Sequence, residues 1–168
     1  MKFLSFFKNI IDEDVKKKTD FLRETEIFDK IPGRKLVHVL GALRERDYVK
    51  DEVIFSEGEI GRALFIVQSG RIDLYKNMPD GGRKKIASVN PGEFFGEMAL
   101  LEERPRTTTA IVGEDTHVFL LFKIKLDILL YSKPDIGVII STRLAKIISA
   151  RLRGMIDYLE SGERKNDF

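Results

Sequence analysis

The chain has 168 residues, of which 43% are hydrophobic and 33% charged. This composition is typical of a globular domain and excludes an intrinsically disordered chain. Lysine and arginine number 29 against 27 aspartate and glutamate residues, and the net charge of +2 gives no general electrostatic case for nucleic-acid binding. The absence of cysteine excludes disulfides and thiolate-ligated metals, and the two histidines are too far apart in sequence to predict a metal site.

An apolar stripe at helical spacing opens the chain. Its members recur three or four positions apart: Phe3, Leu4, Phe6, Phe7, Ile10 and Ile11. We interpret residues 1–20 as an amphipathic N-terminal helix or extension that packs on the domain or on a partner subunit. Peripheral membrane contact is the alternative, and the acidic residues 12–14 that follow disfavour it. No cleavage site follows the stripe and no apolar run is long enough to span a bilayer, so we expect a cytoplasmic protein.

Helical periodicity continues over residues 19–28 and 34–43, and the period changes from residue 46 onward. Runs rich in β-branched and aromatic residues then follow at 63–67, 72–75, 85–89, 107–112 and 117–123. Turn residues separate them at 69–70, 79–82, 90–92 and 113–115. This pattern predicts a mainly β, α+β fold, in which leading helices and a jelly-roll β-barrel occupy residues 21–134.

The C-terminal part returns to helical periodicity. Residues 135–160 contain no proline, and an apolar stripe runs along them: Ile136, Ile140, Leu144, Ile147, Ile148, Leu152, Met155 and Leu159. We expect a long helix that extends beyond the barrel and dimerises, followed by a tail over residues 161–168. Its basic residues predict a solvated face or contact with an acidic partner: Arg143, Lys146, Arg151 and Arg153.

One segment between two predicted strands carries residues suited to an anion. Gly96 permits a positive φ and a close backbone approach, and a helical turn beginning near Glu97 leaves free N–H groups. Arg106 supplies a permanently charged, forked donor for phosphate oxygens, and Glu97 can accept bonds from sugar hydroxyls. Thr107 and Thr108 add further donors. A negatively charged sugar phosphate fits this set.

These residues also carry a resemblance to a known family. Gly-Glu-Met-Ala-Leu at 96–100, followed by Pro-Arg-Thr at 105–107, resembles the phosphate-binding cassette of cyclic nucleotide-binding domains. The family includes the regulatory subunits of cAMP-dependent protein kinase and the sensor domain of bacterial catabolite activator proteins. Residues 57–72 resemble two strands of the family that are bounded by glycine-containing turns. Residues 27–43 are similar to the helices that precede its strands. The resemblance covers roughly residues 21–134.

The resemblance implies how phosphate and ribose would be bound. Glu97 would bind the ribose 2′-OH, and Arg106 would pair with the cyclic phosphate. Backbone N–H groups of Ala99 and Thr108 would help to hold the phosphate. The residues that would shape the ribose contact are Gly96 and Met98.

The resemblance also bears on the base. Leu64 and Ile66 would offer it apolar contact. Thr107 directly follows the arginine, where a hydroxyl residue is typical of cGMP-responsive members. The catabolite activator also carries a hydroxyl residue there and prefers cAMP, so we expect cAMP ahead of cGMP.

The predicted function is a cyclic-nucleotide-binding regulatory module that signals through movement of its C-terminal helix. We expect no catalytic residues, no metal, no cofactor and no nucleic-acid partner; the partners would be the nucleotide, a second copy or an effector protein. Arg106 could instead form a surface ion pair with Glu102 or Glu103, but the Gly-Glu motif favours phosphate. The alternative function is a barrel scaffold that no longer binds ligand and acts as a protein-interaction or assembly module.

Overall fold

The computed structural model describes residues 2–163, and it describes side chains for residues 12–157. Six strands form one antiparallel sheet: β1 (Arg44–Tyr48), β2 (Val53–Phe55), β3 (Ala63–Asn77), β4 (Arg83–Val89), β5 (Phe94–Phe95) and β6 (Thr109–Phe122). The order is β1-β6-β3-β4, with β2 also paired to β6 and β5 to β3. Five helices flank the sheet: α1 (Lys2–Glu24), α2 (Gly33–Leu40), α3 (Met98–Leu101), α4 (Lys123–Ser132) and α5 (Pro134–Glu163). This arrangement confirms the predicted α+β fold with flanking helices. The described helices contain more residues than the strands, so the fold is mixed rather than mainly β as the sequence predicted.

Side-chain alternation along β3 creates two apolar cores. Leu64 and Ile66 are fully buried and pack with residues of α1, α2, α4 and α5. Phe65 and Val67 point to the opposite face, into a second cluster formed by the strands. The period of two along a strand explains the division, because neighbouring side chains leave a sheet on opposite sides.

A bulge in β3 replaces the turn that the sequence predicts at residues 69–70. Gly70 has a φ of +81°, and the pairing register of β3 with β6 shifts on both sides of it. The strand therefore continues through this point, and β6 likewise continues through residues 113–115, where we also expected a break. A bulge adds one residue and keeps the strand paired, so a glycine of this kind does not have to end a strand.

The N-terminal region contains one helix where the sequence predicted two. Helix α1 runs without interruption through residue 20, so that position is not an element boundary, and the helix ends at Glu24. Thr19 and Leu22 are buried against the domain, while the charged side chains at 12–14 are exposed. The apolar stripe of residues 3–11 lies outside the described side chains, so its predicted packing stays a prediction.

Helix α5 is anchored along its first half. Four of its apolar residues are buried in the core: Ile136, Ile140, Leu144 and Ile147. Arg143 donates to Asp29 at 2.8 Å and to the Glu26 carbonyl at 3.2 Å, and Lys35 pairs with Asp135. The side chains of residues 151–157 are all exposed. Among the described helices, α5 included, none is long and apolar enough to cross a membrane.

Replacing Gly70 by alanine is expected to lower the free energy of unfolding by more than about 2 kcal/mol. The new Cβ would lie 2.2 Å from the Asp115 carbonyl oxygen, and the φ of +81° is itself unfavourable for alanine. Gly81→Ala is the matched control, because Gly81 has a φ of +84° and no atom of the described residues outside its immediate chain neighbours lies within 4 Å of the added Cβ. The control should lose only about 1 kcal/mol in equilibrium urea unfolding. Equal losses in the two variants would contradict the proposed steric role of Gly70.

Candidate functional site

A cavity of about 1380 Å³ opens between the sheet, α3 and the second half of α5. Seven of the predicted site residues line it: Gly96, Glu97, Met98, Ala99, Arg106, Thr107 and Thr108. The cavity thus brings together the carboxylate of Glu97 and the guanidinium of Arg106, which are nine positions apart in the sequence.

Arg106 is held in place by backbone carbonyls. Its Nη2 donates to the Ala63 carbonyl at 2.8 Å, and its Nη1 donates to the Gly96 carbonyl at 3.2 Å. Burial lowers the pKa of the guanidinium, and the nearby carboxylates of Glu59 and Glu97 oppose that shift. An arginine remains charged under such conditions, so the cavity carries a fixed positive charge.

Two glycines allow the chain to approach this guanidinium. A Cβ on Gly96 would lie 2.6 Å from Nη1 of Arg106, and one on Gly61 would lie 2.8 Å from its Nε. Gly96 also has a φ of +74°, as the sequence suggested. The sequence analysis did not identify Gly61 as a site residue, although its position in a turn with a second glycine could have suggested it.

Backbone pairing fixes the loop that contains Arg106. The Arg106 N–H donates to the Glu59 carbonyl at 2.7 Å, and the Gly58 N–H donates to the Arg106 carbonyl at 2.9 Å. Ile60 and Pro105 form an isolated antiparallel bridge between the same two segments. The position of Arg106 is therefore set by main-chain bonds on both sides of the residue.

Glu57 ties the end of β3 to the segment that follows Arg106. Its backbone N–H donates to Thr109 Oγ1 at 3.0 Å, while Lys76 binds its carboxylate and also donates to the Thr107 carbonyl at 3.0 Å. The Lys76 hydrogen bond, together with the backbone N–H of Asn77, lowers the pKa of the Glu57 carboxyl. This network fixes the backbone of Thr107 at the cavity and joins it to the buried Thr109.

Glu97 is buried and pairs with a residue of α5. Arg151 Nη1 donates to Glu97 Oε1 at 2.5 Å, and the Arg151 guanidinium lies 5.3 Å from the centre of the Phe94 ring. The sequence suggested that Arg151 would be solvated or contact an acidic partner, and here the carboxylate that it contacts belongs to the same chain. Neither the pairing nor the side of α5 involved could be predicted from the sequence.

Backbone N–H groups at the start of α3 form hydrogen bonds within the chain, whereas the sequence predicted that they would be free. The Ala99 N–H was expected to be available to a phosphate, but it donates to the Gly96 carbonyl at 3.2 Å. The helix contains only Met98–Leu101, so its first N–H groups close back onto the preceding residues. Thr108 lines the cavity, and the bond from its backbone N–H to a phosphate stays a prediction.

The expected contacts of Leu64 and Ile66 with a base are wrong. Both residues are fully buried in the core that faces the helices, and neither lines the cavity. Apolar side chains from other positions line it instead: Leu74, Ile86, Ala87, Val89 and Met155. The reason is the side-chain alternation along β3, which directs Leu64 and Ile66 away from the strand-lined side of the sheet.

Comparison with known proteins identifies the family to which this fold and cavity belong. The family described as the cyclic nucleotide-binding domain matches residues 45–132. The chain therefore belongs to the cyclic nucleotide-binding domain family, as the resemblance at residues 96–107 predicted.

Three relatives give the extent of the similarity. The Cyclic AMP receptor protein of Thermus thermophilus is 30% identical over 148 residues, which cover 86% of this chain and 67% of that protein. The cAMP-dependent protein kinase regulatory subunit of Candida albicans is 31% identical over 94 residues, covering 56% of this chain and 19% of the subunit. The crystal structure of the Thermus thermophilus Catabolite Activator Protein is 30% identical with a TM-score of 0.75, and the similarity covers 82% of this chain and 63% of that one. The chain thus spans about two thirds or less of the length of these relatives.

Replacing Arg151 by methionine is expected to speed amide hydrogen exchange in residues 150–157. The substitution keeps an unbranched side chain of good helix propensity but removes the ion pair with Glu97. Arg153→Met is the matched control, because Arg153 is exposed and donates to Ser149 on the same helix. Exchange measured by mass spectrometry should rise more in the first variant than in the second. The same rise in both would show that the pair with Glu97 does not hold this part of α5.

Proposed function

We propose that this chain is a regulatory module that binds a cyclic nucleotide in the cavity, with Arg106 on the phosphate and Glu97 on the ribose 2′-OH. The observation that carries the proposal is that both side chains line one cavity. A fixed cation suits a phosphodiester, and a carboxylate suits a hydroxyl donor. We expect cAMP ahead of cGMP. The names of the Thermus and Candida relatives, which refer to cAMP, support that order.

Hydrogen-bonding capacity supports these roles. Within the described part of the chain, the Arg106 guanidinium donates to two carbonyls, which leaves other N–H groups of its fork for phosphate oxygens. Glu97 accepts from Arg151 through Oε1, and its second oxygen can accept from a ribose hydroxyl. The apolar side chains of β4, among them Ile86 and Val89, would then lie along the base.

Signalling would proceed through α5. Its first half is fixed by the buried stripe and by Arg143, whereas its second half contacts the cavity through Arg151, Gly154 and Met155. A ligand shifts the position of a helix only if it binds one position more tightly than the other. The contacts of Arg151 with Glu97, and of Met155 with a base, would supply that difference.

We also propose that α5 forms the contact with a second copy or an effector protein. A second apolar stripe, distinct from the buried one, runs along the helix with side chains that are exposed or half-buried: Val138, Ala145, Ile148, Leu152 and Ile156. A stripe of this kind on a long helix is suited to pairing with another helix.

The predictions of a regulatory role without catalysis and of no nucleic-acid partner remain part of this proposal.

Calorimetric titration with cAMP and cGMP tests the ligand. We expect binding by the unaltered chain and at least about ten-fold weaker binding by Arg106→Ala, because a hydrogen bond to a charged group contributes roughly 1.5–3 kcal/mol. Arg46→Ala is the matched control, since it removes an arginine whose guanidinium lies over the ring of Tyr48 and which does not line the cavity. The absence of a binding heat with both nucleotides at millimolar concentration would overturn the proposal and favour the scaffold function. An unchanged affinity of Arg106→Ala would show that the phosphate lies elsewhere.

Leu152→Glu is expected to convert a dimer into a monomer. A carboxylate placed in an apolar helix pair would be buried without a partner, which is costly. Lys146→Glu is the control, because it introduces the same group on the exposed side of α5, away from the second stripe. Sedimentation equilibrium measures the mass of both variants. A monomeric unaltered chain at high concentration would contradict dimerisation through α5.

A further inference from the structure

Three phenylalanine rings form an aromatic cluster beneath the cavity. Phe65 and Phe95 are paired across β3 and β5, and their rings stack at 5.0 Å between centroids with an interplanar angle of 15°. Phe55, from the end of β2, lies 5.7 Å from the Phe65 ring and 5.9 Å from the Phe95 ring. All three rings are buried, and Phe55 and Phe95 also line the cavity.

The Arg106 guanidinium lies over two of these rings and is closer to that of Phe55. Its central carbon is 4.1 Å from the centroid of Phe55 and 5.7 Å from that of Phe65. The face of the Phe55 ring is electron-rich, so it attracts a cation most strongly where water is excluded. The guanidinium is therefore supported by a ring, while the Gly96 and Ala63 carbonyls bind two of its nitrogens.

We propose that Phe55 is a positioning residue for nucleotide binding, because its ring fixes the orientation of the Arg106 guanidinium without using any of its N–H donors. This inference rests on the proposed function, in which those donors bind the phosphate. A carbonyl or carboxylate in the same place would also hold the guanidinium, but it would compete with the phosphate for N–H groups. An aromatic face attracts the cation and leaves the hydrogen-bonding edge free.

A purely structural role for Phe55 would have a different consequence. As a core residue it would contribute only apolar burial and contacts with the other two rings. Leucine would replace much of that burial, and the effect on ligand affinity would not depend on what stands at position 106. As a positioning residue, Phe55 would matter for binding only while the guanidinium is present.

A double-mutant cycle with cAMP as the probe separates the two roles. We expect Phe55→Leu to weaken cAMP binding by about three- to ten-fold, the range that a cation–π contact in a partly desolvated site supports. In the Arg106→Lys background, where the planar guanidinium is lost, the same substitution should change affinity by less than about two-fold. Phe55→Tyr keeps the aromatic face and should recover most of the affinity. Equal effects in both backgrounds, or no effect in either, would overturn the proposal.

Phe95→Leu is the matched control for loss of a ring from the aromatic cluster. Phe95 belongs to the cluster, but among the described residues only Phe55 and Phe65 lie beneath the Arg106 guanidinium. Its effect on affinity should therefore be the same with arginine or lysine at position 106. Thermal unfolding of each variant confirms that the chain remains folded at the temperature of the titration.

A spectroscopic measurement tests the same contact without ligand. The ring current of Phe55 should shift the Nε–H proton signal of Arg106 upfield from those of exposed arginines, and the signal is assigned by its loss in Arg106→Lys. Phe55→Leu should abolish the shift, whereas Phe95→Leu should retain most of it. An unshifted signal in the unaltered chain would overturn the positioning role. If the shift is present but neither cAMP nor cGMP binds, the stacking is correct and the proposed function is wrong.

Discussion

The half-buried guanidinium of Arg106 is the group around which the site is built. A permanent charge that loses part of its contact with water needs compensation, and the chain provides it through two backbone carbonyls and an aromatic face. Gly61 and Gly96 make room for it, because a side chain at either position would collide with the arginine. The pairing of the segment around Glu59 with the loop that carries Arg106 fixes the backbone at the same time. These constraints come from distant parts of the sequence, and they converge on one side chain.

A second constraint joins the cavity to the surface of the molecule. Glu97 is buried beside the cavity, yet its partner Arg151 belongs to a helix whose neighbouring side chains are exposed. The same turns of α5 present Met155 to the cavity and Leu152 to solvent. Glu97 is therefore in direct contact with the helix that carries the second apolar stripe. One ion pair thus links the interior of the domain to the exposed part of α5 on which the proposed signalling depends.

The sequence was sufficient to predict those site residues that lie close together along the chain. The Gly-Glu and Pro-Arg-Thr motifs predicted seven residues that line one cavity, and strand and helix periodicity predicted the fold class. The predictions that failed concern residues whose position depends on packing between distant parts of the chain. Leu64 and Ile66 face the helices, and the bulge at Gly70 then reverses which positions of β3 face the strands, so that Ile72 joins the cluster of Phe65. Contacts that depend on tertiary packing, such as those of Arg151 and Phe55, had no local signal.

Gly154 lowers the local stability of α5. It lies on the cavity side of the helix, and apart from the backbone of its own helix no atom of the described residues comes within 4 Å of where its Cβ would be. Glycine in a helix interior costs about 1 kcal/mol relative to alanine, and close packing does not offset that cost here. The turns around Gly154 are therefore less stable than the anchored half near Leu144. Local unfolding of these turns is therefore expected to cost less free energy than separating the whole helix from the core.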